Sequence, residues 1–158
     1  MLMSVHPGTG DGQSLCAEGA PLRASRGPEQ VAPGEWMETH ATLSATGRVD
    51  TDCHIFTTNA SHGFTGGTCT LLVDGAETII ASTPLRSYRV DGKGAVGKAS
   101  SWDVISRDHF PAGTHERCAK LAILHVLAPT SRLEKDVDEA AYRGKPLAEV
   151  VGAFTRIW

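Results

Sequence analysis

The feature that most constrains this 158-residue chain is a series of short runs rich in Thr, Val, Ile and aromatic residues, which glycine-bearing turns separate. The series begins at Trp36, and no helical pattern lies between its members. Such runs are typical of antiparallel β structure, whereas a parallel sheet would need helices between its strands. The predicted strands are residues 37–44, 51–57, 68–73, 77–82, 85–90, 102–106 and 118–127.

These runs predict a mainly β fold, either an antiparallel β-sandwich or a small β-barrel of about seven strands. Asp74-Gly75 lies between two apolar runs and predicts a hairpin, because both residues tolerate the positive φ angles of a type I′ turn. Asp91-Gly92 indicates a further turn. We expect the β domain to cover residues 36–128.

The segment before this domain has a different composition. Residues 1–35 are rich in Gly, Pro, Ser, Ala and Glu, and their few apolar residues show no period. A chain of this composition does not bury enough apolar surface to offset the entropy of ordering it. The pattern therefore predicts a flexible N-terminal tail over residues 1–35.

The segment after the β domain, residues 129–158, has helical spacing. Ser131 and Glu134 match a capping box at the start of one helix, and Gly144 is a typical stop signal. Pro146 suits the first position of a second helix. We expect both helices to pack on the sheet or on a partner subunit. The apolar stripe of the second helix comprises Leu147, Val150, Val151, Phe154 and either Ile157 or Trp158.

Composition and charge exclude several classes of function. The net charge is −3 and no basic stripe is present, so binding to nucleic acid is not expected. No run approaches the roughly 18 apolar residues that cross a bilayer, and the first residues lack the pattern of a secretory signal. If the chain is complete, we expect a soluble cytoplasmic protein that needs no cofactor. The four cysteines contain no C-x-x-C pair and are expected to be reduced there.

The stretch DTDCHIFTTNASHGFTGG, at residues 50–67, gathers a cysteine, two histidines and two acids. On a regular strand Cys53 and His54 point to opposite faces, so they cannot bind one metal ion together. The known zinc spacings are also missing. We therefore predict no metal site and interpret the stretch as a strand that runs into a loop. His54 is its candidate for proton transfer, provided that it faces the same interior as His125.

His125 lies on an apolar face of the last predicted strand, together with Leu121, Ile123 and Leu127. It is expected to be at least partly buried, and a buried histidine needs a hydrogen-bond partner. Two interpretations follow. His125 is either a neutral core residue satisfied by such a bond, or a general acid or base that faces an internal cavity.

The run LRSYRV places Arg86 and Tyr88 on one face of a strand. If that face points inward, Arg86 pairs with an acid or holds an anionic ligand, and Asp103, next to Trp102, is the acid that the pattern indicates. If that face points outward, the run is an edge strand with a solvated face. Both alternatives stay open at this level.

Two functional hypotheses follow from these patterns. In the first, the protein binds a small molecule in an internal pocket and is either a binder or a cofactor-independent acid–base enzyme of the cyclase, isomerase or lyase type. In the second, it is a non-enzymatic recognition or structural module that binds a protein or a carbohydrate through its loops and its last helix. A homo-oligomer formed through that helix is a further expectation. For the first hypothesis, the candidate catalytic residues are His54, His125 and Asp103, and the candidate ligand-binding residues are Phe56, Arg86, Tyr88 and Trp102.

Overall fold

The computed structural model of the chain describes residues 19–94 and 100–155. Eight strands and three helices lie in this part of the chain. The strands are β1 (Leu22–Ala32), β2 (Glu35–Leu43), β3 (Arg48–Thr57), β4 (Phe64–Val73), β5 (Ile79–Ser82), β6 (Arg86–Val90), β7 (Ser101–His109) and β8 (Lys120–Leu127). The helices are α1 (Thr114–Arg117), α2 (Ser131–Arg143) and α3 (Leu147–Thr155).

The strands form two antiparallel sheets. Sheet A has the order β1-β2-β3-β7. Sheet B is centred on β4, which pairs with β8 along one edge and with β6 and β5 at the two ends of the other edge. Within the described residues the sheets do not close into a barrel, so the predicted antiparallel β fold is confirmed as a sandwich.

The alternation of β3 shows why these residues form a half-buried strand. Every second residue is buried and the residues between them face solvent, as expected for a sheet with one covered face. The buried residues point toward sheet B and are Val49, Thr51, Cys53, Ile55 and Thr57. This pattern fixes the register of β3, because a slip of one residue would expose the entire buried set.

Strand β4 is buried on both faces. Leu72 packs toward sheet A, in a cluster with Leu43 and Val49. Leu71 packs on the other side, in a cluster with Val137 of α2 and with apolar residues of β8 and α3. Sheet A, sheet B and the helices therefore form three successive layers, and the predicted C-terminal helices pack on the sheet.

The boundary of the predicted N-terminal tail needs correction. The composition predicts a flexible tail over residues 1–35, yet Leu22–Ala32 forms β1 and pairs with β2. The β domain therefore begins at Leu22 rather than at Trp36. The strand is difficult to find in the sequence because it is polar and because a bulge interrupts its register near Gly27. Residues 1–18 of the predicted tail lie outside the described residues.

Two local predictions also change. The hairpin between β4 and β5 is present, but its turn is not of type I′: the Asp74 carboxylate accepts hydrogen bonds from the backbone N–H groups of Ala76 and Thr78, and Glu77 has the positive φ of 63°. Helix α2 is capped one residue earlier than predicted, since the Thr130 hydroxyl accepts a bond from the Leu133 N–H. Both differences arise because short polar side chains compete for backbone donors at turns.

The ends of the helices otherwise follow the sequence signals. Gly144 ends α2 in the left-handed conformation, with φ of 63°. Among the described residues no helix is long and apolar enough to cross a membrane. Ile157 and Trp158, the alternative last members of the predicted apolar stripe of the last helix, lie outside the described residues.

The close approach of the layers at β4 predicts a stability difference between two glycines. A Cβ atom on Gly67 would lie 2.7 Å from Cγ of the rigid Pro129 ring, whereas one on Gly75 would have no neighbour within 4 Å. We expect Gly67→Ala to lower the free energy of unfolding by about 1–3 kcal/mol. The matched control Gly75→Ala should change it by less than about 0.5 kcal/mol. Urea unfolding of both variants measures this, and equal midpoints would contradict the close packing of β4.

Candidate functional site

The outer face of sheet A carries the densest group of polar and aromatic side chains that sequence analysis singled out. Strand pairing places His54 of β3 between Glu38 of β2 and Asp103 of β7. One step further along the strands, Phe56 lies beside Trp36. We call Trp36, Glu38, His40, His54, Phe56 and Asp103 the polar–aromatic face.

Short contacts join the members of this face. His54 Nδ1 lies 2.7 Å from Asp103 Oδ1, and both side chains are accessible to solvent. The His54 ring is 5.1 Å from the Phe56 ring, centre to centre. Phe56 and Trp36 have parallel rings with centres 6.0 Å apart. Because His54 contacts Asp103 and Phe56 contacts Trp36 across neighbouring strands, strand pairing positions these four side chains.

A second set of hydrogen bonds joins two members of the face, Glu38 and His40, to Ser25 of β1. The His40 ring connects Ser25 to Glu38: its Nδ1 lies 2.8 Å from Ser25 Oγ and its Nε2 lies 3.0 Å from Glu38 Oε1. The three residues are solvent-accessible, and two of them belong to the same strand. This set extends the row of hydrogen-bonding groups across all four strands of sheet A.

His125 lies in a different place, between the two sheets, and only 2% of its surface is exposed. Its Nδ1 is 2.6 Å from Glu29 Oε1 and its Nε2 is 2.8 Å from Thr39 Oγ1. Because a carboxylate only accepts, Nδ1 carries the proton and Thr39 donates to Nε2. Arg26 completes the network, since its Nε lies 2.7 Å from Glu29 Oε1 and its Nη1 donates to the Ile123 carbonyl.

This partly buried network joins the edges of the two sheets, because Glu29 and Arg26 belong to β1 whereas His125 belongs to β8. Burial lowers the pKa of His125 below 6.5, although the hydrogen bond and the charge of Glu29 act in the opposite direction. Of the two interpretations of His125, the geometry matches the core histidine with satisfied hydrogen bonds.

Arg86 and Tyr88 lie on the inward side of β6, at the opposite edge of the sandwich. The two terminal nitrogens of Arg86 bind both oxygens of Asp108 on β7, at 2.8 and 2.7 Å. The hydrogen bond to Asp108 raises the pKa of Arg86. The acid that pairs with Arg86 is therefore Asp108 and not Asp103. Burial raises the pKa of Tyr88.

The structure brings together some of the predicted site residues and separates others. His54, Asp103 and Phe56 meet on the outer face of sheet A. Trp102 neighbours Asp103 in β7, but its pairing with the inward Ile55 places it toward the other face, where it is 53% exposed. His54 does not face the interior that holds His125, so the condition set for its role in proton transfer is not met.

The sequence patterns did not indicate several residues of these networks as candidate site residues. Trp36, Glu38 and His40 alternate with buried residues along β2, so their shared face was readable once Met37 was placed inside. Glu29 had no such signal, because it follows the bulge of β1 and its partner His125 is 96 residues away. Long-range partners of this kind depend on strand order, which local patterns do not give.

A pocket of about 520 Å³ lies between α2, α3 and the segment that follows β8. Its apolar wall includes Leu133, Ala140 and Val150, and charged residues such as Arg132 and Asp136 border it. Its volume is in the range of pockets that hold small molecules. None of the predicted site residues lines it.

Metal and thiol chemistry find no geometric support in the part of the chain that the structure describes. Residues 19–94 and 100–155 contain no group of three or more His, Cys, Asp or Glu side chains that could hold a metal ion. The three cysteines in these ranges are free and buried, and burial raises the pKa of each thiol, that of Cys69 to about 12.

Comparison with protein-family models, curated proteins and solved structures gave no match to this chain.

The buried position of His125 predicts a pH dependence of stability. Because its pKa is lower in the folded chain than the 6.5 of an unperturbed histidine, the unfolded chain binds more protons between the two values. The stability contributed by neutral His125 is thus full above pH 6.5 and is lost as the pH falls below it. Urea unfolding between about pH 5 and 8 measures this slope.

Removing the ring tests the assignment. We expect His125→Gln to reduce this slope and to lower the free energy of unfolding at neutral pH by about 1–3 kcal/mol, since Glu29 and Thr39 lose their partner. His109→Gln removes an exposed histidine of β7 and should keep the wild-type slope. An unchanged slope in His125→Gln would show that other groups cause the acid sensitivity.

Proposed function

We propose that the protein is a small-molecule-binding β-sandwich whose ligand lies on the polar–aromatic face, and that this ligand is rich in hydroxyl groups, as a short carbohydrate is. The observation that carries the proposal is the His54–Asp103 hydrogen bond beside the parallel rings of Phe56 and Trp36. It combines fixed hydrogen-bonding groups with aromatic surface on one open sheet face.

The chemistry of the face suits hydroxyl groups. A hydroxyl both donates and accepts hydrogen bonds, so it can bind the carboxylates of Glu38 and Asp103 as well as an imidazole. The C–H faces of a sugar ring are apolar, and the rings of Phe56 and Trp36 offer them apolar contact area with little loss of side-chain entropy. Both kinds of contact are needed for specific binding on an open surface.

The dimensions of the face support a ligand of a few rings. Neighbouring strands lie about 4.8 Å apart, and side chains on one face recur about every 6.8 Å along a strand. The face extends over three strands and three positions along β2. It therefore covers roughly 10 by 14 Å, which is larger than a single sugar ring.

A binding role fits this geometry better than acid–base catalysis. The two histidines proposed for proton transfer lie in separate places, one on the outer face of sheet A and one between the sheets. The side chains of His54 and Asp103 are accessible to solvent, and in the described residues no pocket encloses a substrate beside them. General acid–base catalysis gains much of its effect from a positioned, water-excluding site.

Substitution of Phe56 tests this function. Wild-type protein screened against an oligosaccharide panel should bind at least one member, and Phe56→Ala should weaken that binding by at least about tenfold. The matched control is Tyr142→Ala, which removes a 91% exposed aromatic side chain from α2. Isothermal titration measures the affinities. Absence of saccharide binding by the wild type, or equal affinities of both variants, would exclude the proposal.

The pocket between α2 and α3 favours a second candidate function, the binding of an amphipathic small molecule. Its apolar wall and charged border would hold an apolar body and one polar group. This candidate retains the predicted involvement of the last helix, but places the ligand away from the predicted site residues.

Filling the pocket distinguishes the second candidate from the first. We expect the wild type to bind the dye anilinonaphthalene sulfonate saturably, and Ala153→Trp to weaken this binding at least about tenfold because the indole occupies the pocket. Ala112→Trp adds the same side chain at an exposed loop and should bind as the wild type does. If Ala153→Trp binds the dye with unchanged affinity, the pocket is not the site.

A further inference from the structure

Strand β7 forms the open edge of sheet A in the described part of the chain, because it pairs with β3 on one side only. The Thr57 N–H donates to the Ser100 carbonyl, and the Phe110 N–H donates to the Gly47 carbonyl. The even-numbered residues of this segment therefore direct their backbone groups toward β3. Since direction alternates along an antiparallel strand, the odd-numbered residues from 101 to 109 direct their N–H and C=O groups away from the sheet.

The same odd-numbered residues carry exposed side chains on the outer face. Ile105 stands at their centre and is 76% exposed, which is unusual for an isoleucine in a sheet. Asp103 and Arg107 flank it at equal distances along the strand, with opposite charges. The edge therefore has an apolar residue at its midpoint. Its charges are complementary to those of a second copy of β7 that runs in the opposite direction.

We propose that two copies of this chain associate through antiparallel pairing of β7 with β7 of the second copy, about a two-fold axis at Ile105. In this register the two Ile105 side chains meet on one face. Asp103 of each copy lies opposite Arg107 of the other, and Ser101 lies opposite His109. The residues that pair are those whose backbone groups point away from β3, so every outward N–H and C=O of the strand finds a partner.

Within one chain, Asp103 and Arg107 each keep hydrogen-bonding atoms that can bind the second copy. Asp103 uses Oδ1 for His54, which leaves Oδ2 for a second partner. Arg107 uses Nε for Asp50 Oδ1, which leaves its terminal nitrogens for a second carboxylate. A carboxylate has about four acceptor positions and a guanidinium has five donors, so both residues can hold two partners at once.

In other registers of the β7–β7 pair, fewer of these side chains lie opposite a suitable partner. A shift of the axis by one residue sets Ile105 opposite Asp103 or Arg107 of the second copy and shortens the overlap of the strands. Charged residues usually protect an edge strand from pairing, because like charges on two copies of the edge repel each other. On β7 the two signs are arranged symmetrically about Ile105, so the same charges attract a second copy in one register.

The dimer would join two four-stranded sheets into one sheet of eight strands, with the polar–aromatic faces of both copies on the same side. Two adjacent sites increase the apparent affinity for a ligand that repeats along a chain. The pairing itself does not depend on that ligand, since none of its contacts involves Phe56 or Trp36.

Sedimentation of the full chain over a concentration series tests the pairing. The wild type should shift from 16.7 kDa toward twice that mass. Arg107→Asp and Asp103→Arg each set like charges opposite one another twice in the dimer, and each should raise the dissociation constant at least about tenfold. Arg89→Asp makes the same charge change on the exposed side of β6 and should leave the dimer intact.

Mixing the two weakened variants provides the decisive outcome. One variant has two acids along the edge and the other has two arginines, so a mixed pair again sets opposite charges against each other. The equimolar mixture should regain wild-type association, which also shows that both variants are folded. A monomeric wild type, or a mixture no tighter than the separate variants, would overturn the proposal. Phe56→Ala should keep the dimer, so failure of ligand binding and failure of pairing are distinguishable.

Discussion

The burial of β4 on both faces is the constraint on which the rest of this structure depends. One face of the strand meets sheet A and the other meets the C-terminal helices, so its residues must be apolar or small on both sides. At Gly66 and Gly67 the neighbouring layers approach so closely that a Cβ atom would clash with Met37 on one side and Pro129 on the other. Sheet B is thereby enclosed, and within residues 19–94 and 100–155 the outer face of sheet A is the broad sheet surface that faces solvent.

The position of the helices explains where polar residues are tolerated. Inside the sandwich a buried polar side chain without a partner costs free energy, and His125 is paired with Glu29 and Thr39 at the seam between β1 and β8. On the outer face of sheet A no such cost exists, yet His54 and Asp103 are paired there too. Exposed polar pairs contribute little to stability, so the stability of the fold does not depend on this one.

Local patterns in the sequence were sufficient for the fold class and insufficient for the site. The strands from β2 onward follow from short runs of Thr, Val, Ile and aromatic residues between turns, and the burial of His125 follows from its apolar neighbours. The missing strand, β1, has polar residues and a bulge where the pattern expects alternation. The pairing of His54 with Asp103 joins residues 49 positions apart, and it arises from β7 lying beside β3, which no local signal determines. For the same reason, the local pattern indicated Asp103 as the partner of Arg86, whereas the structure pairs Arg86 with Asp108.

Two of the histidine–carboxylate pairs in the described residues, His125–Glu29 and His54–Asp103, differ in their access to water, and that difference bears on what each can do. His125 has a hydroxyl on one nitrogen and a carboxylate on the other, the order of groups in a nucleophilic triad, but Thr39 is fully buried and no substrate reaches it. His54 and Asp103 are reached by any solute, but water competes for each of their hydrogen bonds. Catalysis would need access and exclusion of water in one place, whereas reversible binding to an open face needs access alone.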